Sequence, residues 1–180
     1  MKTRKTPVSG VYEILLEPWV DDRGVFVEAF DQKKLRSQDI DFNIVMMNLS
    51  KTDQAGTIRG MHWQADPCSQ AKIVFSAAKR IFDAVVDVRP GSETYGKIHF
   101  LELYPQTNAL YIPKGIAHGC QAIDDGAMLT YLLDDFYSPP HERGLRYDDP
   151  DAKIPWPLPP VNIAGKDQKW PTLRELGAKS

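Results

Sequence analysis

Cysteine is scarce in this chain: Cys68 and Cys120 are the only two, and no CxxC spacing pairs either of them. That removes a disulfide framework and a zinc knuckle from consideration, and both thiols are expected to be reduced. Long apolar stretches are lacking too. No run approaches the roughly 18 residues of a membrane-spanning helix, and the opening Met1-Lys-Thr-Arg-Lys-Thr-Pro7 has no signal-peptide core. No membrane partner and a cytoplasmic location are the expectations. An excess of one charge is also missing, since 22 Lys and Arg face 24 Asp and Glu for a net charge of −2. A surface that tracks nucleic-acid phosphates needs a strong positive balance, so nucleic acid is not an expected partner. Any anionic ligand must be met by a few placed cations.

What is present is ordinary globular composition, 42% hydrophobic and 26% charged, in 180 residues, which suits one domain over residues 1–180. Short β-rich runs recur with turn signals between them, the pattern of an all-β sandwich or barrel. The expected strands are Gly10–Leu16, Gly24–Phe30, Ile44–Ser50, Ile58–Gln64, Lys72–Ala77, Ile81–Arg89, Lys97–Tyr104, Ala109–Ile112, Gly119–Ile123 and Met128–Leu133. Asp21-Asp-Arg-Gly24, Asp66-Pro67, Arg89-Pro-Gly-Ser92, Pro105-Gln-Thr-Asn108 and Asp124-Asp-Gly126 mark turns. Within Ile81–Arg89, Phe82, Ala84, Val86 and Val88 share one face and Asp83 and Asp87 the other, so one face packs and the other carries carboxylates. Only two short helices are expected, Gln32–Ser37 after Asp31 as N-cap and one near Thr172–Leu176. Seven prolines between Ser138 and Pro160 predict a coil over the barrel, so residues 138–180 read as coil and short helix.

Three groups could carry chemistry. Arg59-Gly-Met-His62 places an Arg and a His three residues apart on a strand, where strict alternation sends them to opposite faces. Both reach one site only if the strand is bulged, and Gly60 permits that. Alone, His62 reads first as a hydrogen-bonded structural histidine. Pro113-Lys-Gly-Ile-Ala-His118 resembles the second motif of cupin barrels, in which the His often binds a metal. The first cupin motif, however, reads His62-Trp63-Gln64 here, and two histidines without a nearby carboxylate are a poor donor set. A barrel with no metal is expected. Lys72 at the start of a strand reads as a solvated lysine, and Tyr131 beside Leu129 and Leu133 as a core aromatic, unless the fold brings them to a site.

Taken together these pieces resemble the dTDP-4-dehydrorhamnose 3,5-epimerase family from about Val11 to Asp167. The matching stretches are Asp22-Arg-Gly-Val-Phe-Val-Glu28, Asn48-Leu-Ser50, Ile58-Arg-Gly-Met-His-Trp-Gln64, Gln70-Ala-Lys72, Phe82–Arg89, Gly91–Gly96, Ile112–Gly119, Tyr131, Tyr137-Ser-Pro139, Glu142-Arg-Gly144 and Ile154-Pro-Trp-Pro157. The resemblance implies a jelly-roll barrel of the double-stranded β-helix, cupin-like kind, working without cofactor as an epimerase of a nucleotide-linked 4-keto-6-deoxy sugar. It further implies that His62 is the base, Asp167 its orienting carboxylate, Lys72 with His118 the oxyanion partners, and Tyr131 the acid on the other ring face. Arg23, Arg59 and Lys166 would meet the diphosphate, Glu28 and Asn48 the nucleoside, and Glu142 the sugar end. The residues matching Arg23 and Glu28 come from the neighbouring subunit in the family, which implies a homodimer with strand exchange in the N-terminal region.

Four positions depart from the family pattern. Met46 stands where the family has a Gln that touches the nucleotide, Phe75 where Arg is frequent, Lys79-Arg80 where a Gly-containing turn is usual, and Leu132 where Lys is frequent. The nucleotide, and whether C3, C5 or both are inverted, are left open by the sequence. Two other readings also stand at this point: a metal-dependent cupin oxygenase or isomerase, and a sugar-nucleotide binding protein without catalysis.

Overall fold

The computed structural model describes residues 1–178; Lys179 and Ser180, the last two residues of the expected C-terminal segment, lie outside the described residues. Among the described residues, thirteen strands and two short α-helices follow in chain order. The strands are β1 (Lys2–Lys5), β2 (Tyr12–Leu15), β3 (Trp19–Asp21), β4 (Gly24–Phe26), β5 (Met46–Thr52), β6 (Ile58–Gln64), β7 (Lys72–Ala78), β8 (Ile81–Asp87), β9 (Ile98–Leu103), β10 (Asn108–Ile112), β11 (Ile116–Ala122), β12 (Ala127–Leu133) and β13 (Glu142–Gly144). The helices are α1 (Gln32–Arg36), capped by Asp31, and α2 (Leu173–Gly177), opened by a capping box on Thr172. One six-stranded sheet runs β1-β2-β10-β7-β12-β5, and a five-stranded sheet runs β13-β6-β11-β8-β9. All named pairs are antiparallel, and the two sheets face one another as a jelly roll.

Three apolar clusters hold the sheets. Val74, Val85, Leu103, Leu110, Ile112, Ile116 and Leu129 fill the space between them. Outside the six-stranded sheet, Leu35, Ile40 and Phe42 from α1 and the loop after it cover Ile14, Ile73, Ala109 and Leu132. Outside the five-stranded sheet, the C-terminal segment lays Leu145, Ala152, Ile154 and Leu173 on Phe82, Ala84, Val86 and Ala117. Every residue of β8 is therefore buried. Its alternation is as the sequence reads, but the carboxylate face turns into the barrel and the apolar face outward under the coil.

Several boundaries differ from the sequence expectation. Strand pairing in Gly24–Phe30 ends at Phe26, β5 runs to Thr52, and β11 begins at Ile116. β1, β3 and β13 were not expected. β1 and β13 are edge strands, Lys2–Lys5 and Glu142–Gly144, with no apolar alternation to announce them. The proline-rich segment is thus an ordered coil that also supplies an edge strand, through Glu142↔Gln64 and Gly144↔His62 pairing.

Candidate active site

The expected bulge in β6 is present. The register against β11 shifts between His118↔His62 and Cys120↔Arg59, so Arg59 and His62 both turn to the barrel interior. Gly60 has φ +125°, and a Cβ there would lie 2.5 Å from the Gly119 Cα and 2.8 Å from the His118 carbonyl oxygen. Only a glycine lets β6 and β11 close to that distance.

A cavity of about 740 Å³ opens between the sheets. From the expected site residues it gathers Asn48, Arg59, His62, Lys72, Tyr131, Glu142, Lys166 and Asp167. Met46, Asn48, Ser50 and Thr52, alternate residues of β5, form one wall by the strand's two-residue period. His62 stands on the five-stranded sheet, while Tyr131 and Lys72 stand on the six-stranded sheet facing it.

The His62 Nε2 lies 2.6 Å from Asp167 Oδ1, an approach across 105 residues of chain. Asp167 also accepts from the Gly60 N–H at 3.3 Å and the Trp170 indole N–H at 3.3 Å. Burial pushes this carboxyl up, but the hydrogen bonds from His62, Gly60 and Trp170 and the His62 charge outweigh it, so its pKa lies below the usual value. Trp170 packs edge-on to the His62 ring with centroids 6.3 Å apart. The dyad is thus fixed from three sides.

Burial disfavours the Lys72 ammonium and brings its pKa down to about 8, against the opposing pull of Asp83, Glu142 and Cys120. Burial holds the Tyr131 phenol well above its ordinary value, with Cys120 and Asp83 adding to the effect and Arg59 opposing it. Arg59 donates to Thr52 Oγ1 at 3.2 Å and to the Lys51 carbonyl at 3.4 Å. Lys166 meets Glu142 at 2.6 Å, and the Tyr137 hydroxyl donates to the same carboxylate at 3.3 Å.

Three expected site residues stand elsewhere. His118 is buried, with its Nε2 2.8 Å from Asp83 Oδ2 and its ring edge-on to Tyr131 at 6.0 Å, so it does not line the cavity. It adjoins Tyr131, and Asp83, which holds it, also acts on the buried Lys72. Arg23 sits in the β3–β4 turn, exposed and paired with Asp21 at 2.5 Å, and Glu28 pairs with Lys34 at 2.6 Å. Neither lines the cavity of its own chain.

On the cavity wall stand also Gln54 and Asn162, which the sequence reading passed over, and Trp63 and Tyr137, which it quoted without giving them a site role. Asn162 donates to Gln54 at 2.6 Å and Val161 bridges Thr57, which ties the C-terminal strap across the cavity. No local pattern announces such a strap. Among the described residues, no group of three or more His, Cys, Asp or Glu side chains is placed to hold a metal ion. No described helix is long and apolar enough to cross a membrane.

A jelly-roll barrel whose cavity sets a His–Asp dyad on one wall against a tyrosine and a lysine on the other is built as an acid–base isomerase site. The family model of dTDP-4-dehydrorhamnose 3,5-epimerase matches residues 5–175, and the chain belongs to that family of epimerases. It is 40% identical over 158 residues to the dTDP-4-dehydrorhamnose 3,5-epimerase of Sinorhizobium fredii, covering 87% of this chain and 81% of that one. It is 35% identical to the dTDP-4-dehydrorhamnose 3-epimerase of Streptomyces niveus, covering 93% of this chain and 82% of that one. The structure of dTDP-6-deoxy-D-glucose-3,5-epimerase from Legionella pneumophila, solved in complex with dTDP-4-keto-L-rhamnose, superposes with a TM-score of 0.92 at 32% identity, covering 99% of this chain and 95% of that one.

Proposed function

We propose that the chain epimerises a dTDP-linked 4-keto-6-deoxy sugar by moving a proton on and off a carbon beside the ketone, with His62 and Tyr131 serving opposite faces of the ring. One observation carries this reading: the His62–Asp167 dyad and Tyr131 stand on facing sheets of one cavity, with Lys72 also on its wall. A hydrogen next to a ketone is weakly acidic, so the reaction needs a base, a charge for the developing enolate oxygen and an acid across the ring. Asp167 holds the Nε2 proton of His62, which leaves Nδ1 as the nitrogen that takes the substrate's proton. The Lys72 ammonium stabilises the C4 oxyanion as it forms. Tyr131, kept neutral by burial, retains the proton that it delivers from the other wall. His118, held by Asp83 and edge-on to Tyr131, backs this wall of the site.

Arg59 and Lys166 supply charge for the diphosphate from within the chain, and Asn48 and Glu142 hydrogen-bond the rest of the substrate. The third cation comes from a second subunit. The β3–β4 hairpin stands apart from both main sheets and exposes Trp19, Val20, Val25 and Phe26, while the β5 edge exposes Met47 and Leu49. Apolar side chains beside an unpaired sheet edge suit strand addition from a second copy. In that homodimer Arg23 and Glu28 complete the neighbour's cavity. With both a 3,5-epimerase and a 3-epimerase among the relatives, inversion at C3 is the shared step and C5 is the variable one.

The test is purified protein in deuterated water with a panel of nucleoside-diphosphate 4-keto-6-deoxy sugars. Deuterium at C3 of an inverted product, lost in His62→Ala, is expected. Substrate returned without label from every member of the panel overturns the proposal.

A further inference from the structure

The C-terminal segment carries Asp167 and, three residues on, an indole that the proposed mechanism leaves without a task. Trp170 donates its N–H to Asp167 Oδ1 at 3.3 Å, the same oxygen that lies 2.6 Å from His62 Nε2, while Oδ2 accepts from the Gly60 N–H at 3.3 Å. The indole also meets the His62 ring edge-on, so each of the three side chains touches the other two. Its seat is made by a missing side chain. Gly144 is the register partner of His62 on β13, and a Cβ there would lie 2.3 Å from Trp170 Cδ2 and Cε2 and 2.4 Å from Cδ1. Those atoms belong to the five-membered ring that bears the N–H, which therefore rests on bare backbone beside His62. The chain on either side is tied as well, by the Lys169 N–H to the Lys166 carbonyl at 3.0 Å and the Arg146 N–H to the Pro171 carbonyl at 3.2 Å. A phenyl ring could fill this seat, but it would offer Oδ1 no hydrogen bond.

We propose that Trp170 is a positioning residue for the base: its N–H holds Asp167 Oδ1 in line with His62 Nε2, which keeps Nδ1 turned to the carbon that loses its proton. A carboxylate hydrogen-bonded on both oxygens is restrained from swinging off the imidazole, and outer partners of this kind fix the orientation of a histidine ring. When Nδ1 takes the substrate's proton, the C–H electron pair passes into the enolate. The imidazolium keeps its Nε2 proton on Asp167, and the indole proton stays on Nε1 throughout. Trp170 thus gives no proton and acts only through the carboxylate.

The inference rests on His62 being the base, so His62→Ala serves as the control for that. Two further proteins separate the donor from the shape: Trp170→Phe, and the chain with benzothienylalanine in place of Trp170, which keeps the bicyclic outline and puts sulfur where the N–H was. All are assayed in deuterated water with a dTDP-linked 4-keto-6-deoxy sugar for label uptake into substrate and for inverted product. In both Trp170 variants kcat for inversion should fall about fivefold, the size of one net hydrogen bond, with KM within about twofold of wild type. Label uptake should fall by the same factor, because the defect lies at the base and not at Tyr131. Wild-type kcat with benzothienylalanine, a raised KM at unchanged kcat, or slowed inversion at unchanged uptake overturns the proposal. Uptake and inversion that survive in His62→Ala overturn the reading of His62, and Trp170 with it. Their loss there beside wild-type rates with benzothienylalanine sinks the Trp170 role alone. Thermal melting accompanies each variant, and if Trp170→Phe does not fold, the benzothienylalanine protein, which preserves the packing, decides.

Discussion

Lys72 is the residue whose charge decides how the site works with pH. In the proposed mechanism its ammonium meets the enolate oxygen, and burial has brought its pKa down to about 8. Because the lowered value favours the neutral amine above that pH, kcat/KM, which reports the free enzyme, should fall along an alkaline limb near pH 8. Lys72→Arg keeps its charge at every working pH, so what activity it retains should lack that limb. A wild-type profile flat through this range contradicts the assignment. At this scale the sequence was unevenly legible. That Gly60 could let Arg59 and His62 share a face was argued from strand geometry, while the role of His62 as base came from the family resemblance. Asp167 could not, because the carboxylate meets His62 across 105 residues and only the family resemblance singled it out. The inward turn of Asp83 was hidden for another reason. Alternation tells which residues of a strand share a face but not which face is inside, and β8 is buried on both.

The element that shapes the site is the bulge of β6. An alanine at Gly60 would have to hold φ near +125° and push its Cβ to 2.5 Å from the Gly119 backbone. Gly60→Ala should therefore cost about 2–4 kcal/mol in chemical denaturation, from strain and overpacking together. It should also lower turnover, because Arg59 and His62 hang on either side. Wild-type stability and turnover in this variant would show that the bulge does not set the site. Strands with an apolar rhythm, β6, β7, β8 and β12, were placed in the sequence to within two residues. The edge strands β1 and β13 were not, since pairing there is fixed by the partner strand rather than by their own side chains. Lys79 adopts φ 65° in the tight β7–β8 turn, a conformation that the family's usual glycine would take without strain.

At the scale of the molecule the account requires two chains. On the proposed reading Arg23, exposed on a hairpin outside its own cavity, reaches the substrate only from a partner subunit. Arg23→Ala should raise KM with little change in turnover, because a diphosphate contact far from the reacting carbon acts as uniform binding. Mixing Arg23→Ala with His62→Ala subunits, after exchange, should recover roughly a quarter of wild-type kcat/KM, since half the dimers are mixed and each holds one complete site. Recovery no greater than the sum of the separate variants would place Arg23 outside the neighbour's site. The central claim concerns the barrel as a whole: its two facing sheets serve the two faces of one sugar ring. The most direct measurement is Tyr131→Phe in deuterated water with a dTDP-linked 4-keto-6-deoxy sugar. The account predicts deuterium at the carbon beside the ketone, placed there by His62 with the original configuration retained, and inversion slowed by about 10²–10⁴-fold. Inversion at the wild-type rate would contradict it.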